Sequence, residues 1–283
     1  MKIIQTQKAL QQALRFHKNL KHSIALIPTM GALHSGHGSL VKLARAEADC
    51  VVVTLFINPK QFGPTEDLNS YPKTIPQDQL LCKKWGCDIL YIPNAKYIFS
   101  SKYWKSLTNT FSRGILCDLS RPGHFDGVIS IVAYFFNLVK PNLAYFGEKD
   151  YQQLAVIRDM NRRHFNSKIS IRQAKTIRHK SGLAMSSRNK RLSSKQKLKA
   201  SIILKAMQFA ERRYRDGEAL KSIKIRVQKR LKSNDLIPQY IEIFNEQNMR
   251  ILKRNMSQNK AIQARIAIAA YLDNVRLIDN LRL

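Results

Sequence analysis

Apolar and polar positions in the first half of the chain follow two alternating patterns. Short, mostly apolar runs predict strands at residues 23–27, 50–57, 88–92 and 142–146, with an edge strand at 169–171. The run at 50–57 is typical of a strand covered on both faces. Segments with helical spacing of apolar residues lie between them, at 6–19, 37–48, 77–85, 127–139 and 150–164. Strands that alternate with helices indicate βαβ units, so the sequence predicts an α/β fold with a mostly parallel sheet.

The pattern changes in the last hundred residues. Long, basic, amphipathic helices are predicted at 194–214 and 219–231, and strands at 239–244, 261–270 and 275–279. This mixture of helices followed by strands is typical of an α+β domain. We therefore place a domain boundary near residues 176–180 and predict a first domain at 1–177 and a smaller second domain at 178–283.

The chain carries a net charge of +30, distributed unevenly as +8 over residues 1–150 and +22 over residues 151–283. A binding surface for nucleic acid or an acidic membrane would explain this excess. The alternative is a Lys- and Arg-rich composition whose only functional target is a small anion. The second interpretation is favoured, because the basic residues are dispersed through amphipathic patterns and no aromatic stacking motif accompanies them.

Cysteine use and hydropathy indicate a reducing compartment. The first ten residues lack the apolar run of a signal peptide, and no stretch reaches the 18 or more apolar residues of a membrane span. Cys50, Cys82, Cys87 and Cys117 do not show paired metal-ligand spacing, so buried free thiols are expected rather than a zinc site. We predict a cytoplasmic protein that does not enter a membrane.

The motif His34-Ser35-Gly36-His37 follows the first buried strand and a Pro-Thr-Met-Gly turn that contains Met30 and Gly31. A helix that begins near Gly36 or His37 would present unpaired N–H groups and the positive end of its dipole, which together form an anion site. Two imidazoles beside that helix end could donate hydrogen bonds to a phosphate as charge develops. The alternative is a pair of ordinary surface histidines, which the position directly after a buried strand makes less favourable.

Polar residues also follow two other predicted strands. Asn58 and Gln61 come after the second strand, where open α/β sheets bind ligands, although Asn58-Pro59 is also an ordinary turn signal. Lys149 and Asp150 come after the fourth strand; Lys149 could reach a phosphate, and Asp150 could bind a ribose hydroxyl or simply cap a helix. The neighbouring Gln152 and Gln153 project from different sides of the next helix, so at most one faces a site.

A loop at residues 182–189 supplies hydroxyls and a guanidinium near the predicted domain boundary. Ser186, Ser187 and Arg188 could neutralise a leaving β/γ-phosphate, although a serine-rich interdomain loop is the plainer explanation. The chain contains neither a Walker-type phosphate loop nor a Gly-x-Ser-x-Gly motif, which argues against P-loop hydrolysis and acyl-enzyme chemistry.

Segments 28–37, 56–62, 121–128, 146–154 and 182–189, in this order, closely resemble the pantothenate synthetase (pantoate–β-alanine ligase) family, and the resemblance resumes at residues 276–280. It implies a cytoplasmic homodimer of the nucleotidyltransferase superfamily, with a Rossmann-like domain and a C-terminal lid. The implied reaction uses ATP and Mg²⁺. Pantoate would attack the α-phosphorus to form pantoyl adenylate, and β-alanine would then displace AMP to give pantothenate.

The resemblance also implies roles for individual residues. His34, His37 and Lys149 correspond to catalytic residues, with His37 as proton donor. The ATP-binding positions are Met30, His34, His37, Gly147, Lys149, Asp150, Met185, Ser186, Ser187 and Arg188. Asn58, Gln61 and Gln153 correspond to pantoate-binding positions, and Asp78 lies near an acidic position linked to Mg²⁺. This chain departs from the family pattern at Ser181, where an acid is usual, and in a shortened loop after Tyr97.

Two other functions remain open at this point. An RNA-binding adenylyl-transfer protein would share the histidine motif and explain the basic second half, and its RNA affinity would fall steeply with salt. Gln61 and Gln153, which match pantoate ligands, argue against it. A non-catalytic homologue is the third possibility, and the intact phosphate-binding residues argue against that.

Overall fold

A six-stranded sheet forms the centre of the first of two compact units in the computed structural model, which describes residues 1–64, 66–259 and 261–283. This unit comprises Met1–Glu148 and Gln153–Lys175. Its strands are β1 (Lys2–Ile4), β2 (Ile24–Thr29), β3 (Cys50–Leu55), β4 (Ile89–Tyr91), β5 (Leu143–Gly147) and β6 (Ser170–Ala174). Neighbouring strands are parallel in the order β1-β4-β3-β2-β5-β6. The predicted parallel sheet is confirmed, and the sheet is Rossmann-like.

Seven helices accompany these strands in the described part of the chain. They are α1 (Gln7–Asn19), α2 (Ser35–Glu47), α3 (Ile75–Lys84), α4 (Ala95–Phe99), α5 (Leu116–Ser120), α6 (His124–Val139) and α7 (Tyr151–Phe165). Thr6 caps α1 by accepting a hydrogen bond from Ala9 N at 3.3 Å. The short helices α4 and α5 have no counterpart among the predicted elements, because five residues are too few to establish a helical period.

The core of this unit explains why the strand sequences are almost wholly apolar. All six residues of β3 are buried, as required for a strand covered on both faces. Alternate residues, including Ile27 of β2 and Val51 and Val53 of β3, pack with Leu40 and Ala44 of α2. The almost entirely buried α6 supplies further apolar surface.

The strand order creates a switch point at the centre of the sheet. From β2 the chain proceeds to β3 and β4 on one side, and it later returns to β5 on the other side of β2. The carboxyl ends of β2 and β5 therefore lie side by side while their connections run in opposite directions. This is the place where open α/β sheets bind ligands.

The second unit comprises Lys149–Gln152 and Thr176–Leu283. It contains α8 (Ser194–Ala200), α9 (Ile202–Arg215), α10 (Leu220–Lys232) and an antiparallel sheet of β7 (Leu236–Asn245), β8 (Ala264–Leu272) and β9 (Val275–Arg282), in that order. Its core includes Ile203, Met207, Leu231, Ile266 and Ile268. These elements confirm a smaller α+β second unit.

The prediction of one continuous helix over residues 194–214 in the second unit is wrong. Residues 194–214 form two helices that meet at Ser201, not one. The Ser201 hydroxyl donates to Leu198 O at 2.6 Å, and Ser201 N donates to the same carbonyl at 3.2 Å. Local bonds of this kind compete with the regular helical ladder and interrupt it.

All four cysteines are buried and carry free thiols. Burial raises the pKa of the Cys50 thiol to about 12, which keeps this thiol protonated and unreactive at neutral pH. No helix within the described residues is long and apolar enough to cross a bilayer.

Candidate active site

The loop after β2 is held in an unusual conformation by one buried carboxylate. Gly31 and Ala32 both have positive φ values, of 83° and 50°. Asp78 of α3, which is 1% exposed, accepts from Ala32 N at 3.0 Å and from Leu33 N at 2.8 Å. A Cβ atom at Gly31 would lie 3.1 Å from Asp78 Oδ2, so both the backbone conformation and the close approach favour glycine there.

The same contacts bear on the predicted Mg²⁺ site. The hydroxyl of Thr74 lies 3.3 and 3.2 Å from the two oxygens of Asp78, so each oxygen has a backbone partner and a hydroxyl partner. The carboxylate is therefore committed to the loop, which does not favour the metal contact that the resemblance links to Asp78. Among the residues that the structure describes, no group of three or more His, Cys, Asp and Glu side chains could hold a metal ion.

His34 and His37 form a reciprocal cap at the start of α2. His34 is the N-cap residue, and its Nδ1 accepts from Gly36 N at 3.1 Å. His37 Nδ1 lies 3.3 Å from His34 N, which donates to it. The helix begins at Ser35, earlier than the predicted start, because His34 takes the place that Ser, Thr, Asp or Asn usually occupies.

This cap determines which ring nitrogen of each histidine carries the proton. A backbone N–H is only a donor, so Nδ1 of both rings must be an acceptor and the proton must reside on Nε2. The two rings lie against each other with their centroids 4.1 Å apart and their planes tilted by 41°, and both are partly exposed. Both imidazoles therefore lie at the positive end of α2, a place that suits an anion such as phosphate.

Asn58 and Gln61 lie together in the turn that follows β3. Asn58 caps the 3₁₀ turn Pro59–Gln61 by accepting from Lys60 N at 3.2 Å, and its amide donates to Gly127 O at 3.0 Å. The amide of Gln61 donates to Met30 Sδ at 2.9 Å, which connects this turn to the loop after β2. Both side chains are buried, so their remaining hydrogen-bonding capacity is available only to a ligand that reaches the same interior.

A charged cluster holds Gln61 from the other side. Arg121 pairs with Glu66 through Nε–Oε1 at 2.6 Å and Nη2–Oε2 at 2.5 Å. His124 Nδ1 lies 2.7 Å from Gln61 O, and Arg121 Nη1 donates to His124 Nε2 at 3.0 Å. Because a carbonyl only accepts, His124 Nδ1 carries the proton and the ring is neutral. Both nitrogens are engaged, so His124 supports the turn at Gln61 and is poorly placed to act as a base.

The ionisation of Glu66 reflects this cluster. Burial raises the pKa of its carboxyl, but the hydrogen bonds and charge of Arg121 outweigh burial and hold the pKa below its ordinary value. No sequence pattern connects Arg121 with its partner Glu66, which lies 55 residues away in the chain.

The remaining predicted residues of the first unit lie on β5 and α7. Gly147 is the last residue of β5, at the switch point, and a Cβ there would meet no atom within 4 Å. Gln153 lies in the first turn of α7 and is partly exposed, whereas Gln152 is buried. The side chain on the more accessible side of the helix is thus the one that the resemblance assigns to pantoate.

The second unit contains the other predicted ATP-binding residues. Lys149 and Asp150 lie in a 3₁₀ turn before α7, with Lys149 Nζ 3.4 Å from Asp150 Oδ1. Ser186 caps the 3₁₀ turn Ser187–Arg191 by accepting from Arg188 N at 3.3 Å. Met185 N donates to Ile177 O at 2.9 Å, so the residue before Ser186 is fixed by the preceding segment.

Residues that support this second group were missed by sequence analysis. Arg178 donates to Gly182 O at 3.1 Å and pairs with Asp279, and Asn280 donates to Lys149 O at 2.8 Å. Burial raises the pKa of the Asp279 carboxyl, while the Arg178 guanidinium, the Asn280 N–H and the Lys149 charge oppose that rise. The only signal in the sequence was the return of the family resemblance at residues 276–280.

Comparison with known proteins identifies a close similarity along the whole chain. A family model described as pantoate–β-alanine ligase matches residues 2–282. The chain is 39% identical to the pantothenate synthetase of Pseudothermotoga lettingae over 99% of its own length and 97% of that protein. It is 38% identical to the pantothenate synthetase of Thermotoga petrophila over 99% of each chain.

Solved structures give the same result. Pantothenate synthetase from Thermus thermophilus superposes with a TM-score of 0.89 at 33% identity, and the match covers 99% of both chains. Pantoate–β-alanine ligase from Francisella tularensis, complexed with β-γ ATP and β-alanine, gives a TM-score of 0.80 at 32% identity, covering 100% of this chain and 97% of that one.

Proposed function

Because the chain belongs to the pantoate–β-alanine ligase family, whose members are ligases of pantothenate biosynthesis, we propose that it joins pantoate to β-alanine with cleavage of ATP, through a pantoyl adenylate. The observation that carries this proposal is the histidine cap at the start of α2. It places two imidazoles and a helix N-terminus directly after β2, one of the two strands at the switch point of the sheet. The complex of the Francisella tularensis relative with β-γ ATP and β-alanine supports the choice of these two substrates.

In the first step a carboxylate oxygen of pantoate forms a bond to the α-phosphorus, and the bond from that phosphorus to the bridging oxygen of the β-phosphate breaks. Pyrophosphate leaves with the electron pair. An anion that attacks a polyanion meets repulsion, so the site must supply donors fixed in advance where charge develops. We assign this role to His34 and His37 at the α-phosphate.

The leaving pyrophosphate needs its own positive partners. We assign Lys149, Ser186, Ser187 and Arg188 to the β- and γ-phosphates, Asp150 to the ribose, and Met30, Gly147 and Met185 to the nucleotide pocket. Arg188 is suited to this task because its planar fork makes two parallel hydrogen bonds, whereas Lys149 acts as a point charge. In this reaction pantoate itself supplies the nucleophile, so these residues need to supply only charge and hydrogen-bond donors.

In the second step the amine of β-alanine attacks the acyl carbon, loses a proton and displaces AMP. We assign pantoate binding to Asn58, Gln61 and Gln153. Uncharged amides suit a substrate with hydroxyl groups, since each amide both donates and accepts. The bond from the Gln61 amide to Met30 Sδ and the bond from Asn58 Nδ2 to Gln61 Oε1 would hold this amide in one orientation during both steps, while Arg121 holds the Gln61 backbone carbonyl.

The resemblance also implies Mg²⁺, a homodimer, a cytoplasmic location and a second unit that closes as a lid, and these stay predictions. The described residues contain no acidic cage for Mg²⁺. The ion commonly binds phosphate oxygens and water with few protein ligands, so we assign no step to it.

Light scattering of the purified protein tests the dimer. RNA affinity that stays weak at low salt would fit the absence of a nucleic-acid partner.

Isotope exchange between ATP and pyrophosphate, with pantoate present and β-alanine absent, tests the proposal directly. Exchange that depends on pantoate is expected, because adenylate formation is then reversible without the second substrate. Exchange without pantoate, or none at all, would contradict an adenylate intermediate.

The variant His34→Asn makes this test specific. Asparagine is a good N-cap, so α2 keeps its cap while the Nε2–H donor is lost. Exchange should fall about 100-fold, in the range seen when a donor to a developing oxyanion is removed. His164→Asn, at an exposed histidine near the end of α7, is the matched control and should leave exchange unchanged. Equal exchange in His34→Asn and His164→Asn would remove His34 from the site.

A further inference from the structure

Strand β9 contains two adjacent buried polar residues, Asp279 and Asn280, which are 5% and 6% exposed. Successive side chains of a strand point to opposite faces, so the two residues serve different partners. Buried polar side chains are costly unless they are paired, which makes the partners of Asp279 and Asn280 informative.

Asp279 holds the segment that leads to the Ser186–Arg188 loop. Arg178 pairs with its carboxylate through Nη1–Oδ2 at 2.5 Å and Nη2–Oδ1 at 3.0 Å, and the same Nη1 donates to Gly182 O at 3.1 Å. Arg178 also forms a β-bridge with Ala184. The carboxylate thus fixes, through one guanidinium, both sides of the tight hairpin that ends immediately before Met185.

Asn280 holds the backbone of Lys149, the other predicted phosphate ligand of the second unit. Its Nδ2 donates to Lys149 O at 2.8 Å, and its Oδ1 accepts from Arg265 Nη1 at 2.5 Å. A carbonyl only accepts and a guanidinium only donates, so the amide has one possible orientation. Arg265 Nε donates to Glu246 Oε2 at 3.0 Å, and Arg265 Cζ lies 4.0 Å from the ring centroid of Tyr151.

We propose that Asp279 and Asn280 are positioning residues for the ATP triphosphate, one setting the Ser186–Arg188 loop and the other setting the backbone of Lys149. The inference rests on the proposed role of those residues as phosphate ligands. Its physical basis is that donors stabilise a developing charge only when they are held in place beforehand, and small displacements remove much of their effect.

Asn280→Asp separates positioning from general stability. The carboxylate has the shape of the amide and still accepts from Arg265, but it cannot donate to Lys149 O. Asn255→Asp is the matched control, since the Asn255 amide also donates to backbone carbonyls of the second unit, Tyr214 O at 2.9 Å and Glu218 O at 2.8 Å. Both variants should lower the melting temperature.

The distinguishing measurement is ATP binding by calorimetry in the absence of pantoate and β-alanine. Asn280→Asp should weaken ATP binding about tenfold, as expected when a hydrogen bond that orders a charged ligand is lost, and raise the KM for ATP with the KM for pantoate unchanged. Asn255→Asp should bind ATP as the unmodified protein does. If Asn280→Asp is insoluble, Asn280→Ala, which removes both bonds without adding charge, carries the same expectation.

The outcomes separate this inference from the proposed function. Normal ATP binding in a folded Asn280→Asp protein would overturn the positioning role. A parallel rise in the KM for ATP and the KM for pantoate would indicate that Asn280 has only a structural role, and would also overturn the positioning role. Loss of ATP binding in Asn280→Asp, with no pantoate-dependent exchange in the unmodified protein, would leave the positioning role intact and refute the proposed reaction.

Discussion

Replacing Asp78 by asparagine distinguishes an anchor for the loop after β2 from a metal ligand. The substitution keeps the shape of the side chain but turns one acceptor oxygen into an NH₂ group. In the orientation that keeps the bond to Leu33 N, this NH₂ group faces Ala32 N, which is 3.0 Å from the present oxygen. Two donors then face each other at a site that is 1% exposed.

The magnitude follows from these contacts. A hydrogen bond to a buried charged acceptor contributes about 1.5–3 kcal/mol, and the amide left without a partner adds a desolvation penalty of similar size. Removal of a buried charge offsets part of this loss, so we expect a destabilisation of about 2–3 kcal/mol. For a chain of 283 residues that corresponds to a fall in Tm of roughly 3–6 °C. Activity should fall at least tenfold, because Met30 and His34 are carried by the loosened loop.

The assay is thermal unfolding with EDTA present, so that no Mg²⁺ contributes. Asp216→Asn, at an exposed ion pair with Arg213, is the control and should change Tm by no more than about 1–2 °C. An Asp78→Asn protein with normal Tm in EDTA, but with an altered Mg²⁺ requirement for exchange, would refute the anchoring role and restore the metal assignment.

Two further substitutions test the support of the turn after β3. Gly127→Ala places a Cβ 2.3 Å from Lys60 O, a backbone contact that no rotamer relieves. This variant should therefore lose at least about 1–3 kcal/mol of stability and raise the KM for pantoate. Gly63→Ala, where a Cβ meets only ordinary contacts, should change neither the stability nor the KM. Glu66→Gln should lower stability by about 1–3 kcal/mol at pH 7. Because the folded-state pKa of Glu66 is lowered, this contribution is complete above the ordinary glutamate pKa and disappears as pH falls through the folded value. The free energies of unfolding of the Glu66→Gln and unmodified proteins, measured by denaturant titration, should therefore converge at low pH. A constant difference between them across pH 3–7 would contradict an ionic role for Glu66.

The sequence by itself determined the class of fold and, through its resemblance, the ligase family. Apolar runs such as β3, and their alternation with amphipathic helices, follow from the need to bury a sheet on both faces, which is a local property of composition and period. The histidine motif was recognisable because a strand end and a helix start coincide there. Local bonding still altered details, as at Ser201, where a side-chain hydrogen bond divides one predicted helix into two.

Only the tertiary structure decided how the candidate residues are held. Asp78 is joined to the loop after β2 from 45 residues away, Glu66 to Arg121 from 55, and Asn280 to Lys149 from 131. No periodicity connects such partners, because a carboxylate or amide has the same appearance in sequence whether it binds a ligand, a metal or a backbone. Which of these it does depends on the donors that folding brings within 3 Å, and those donors come from elements that are distant along the chain.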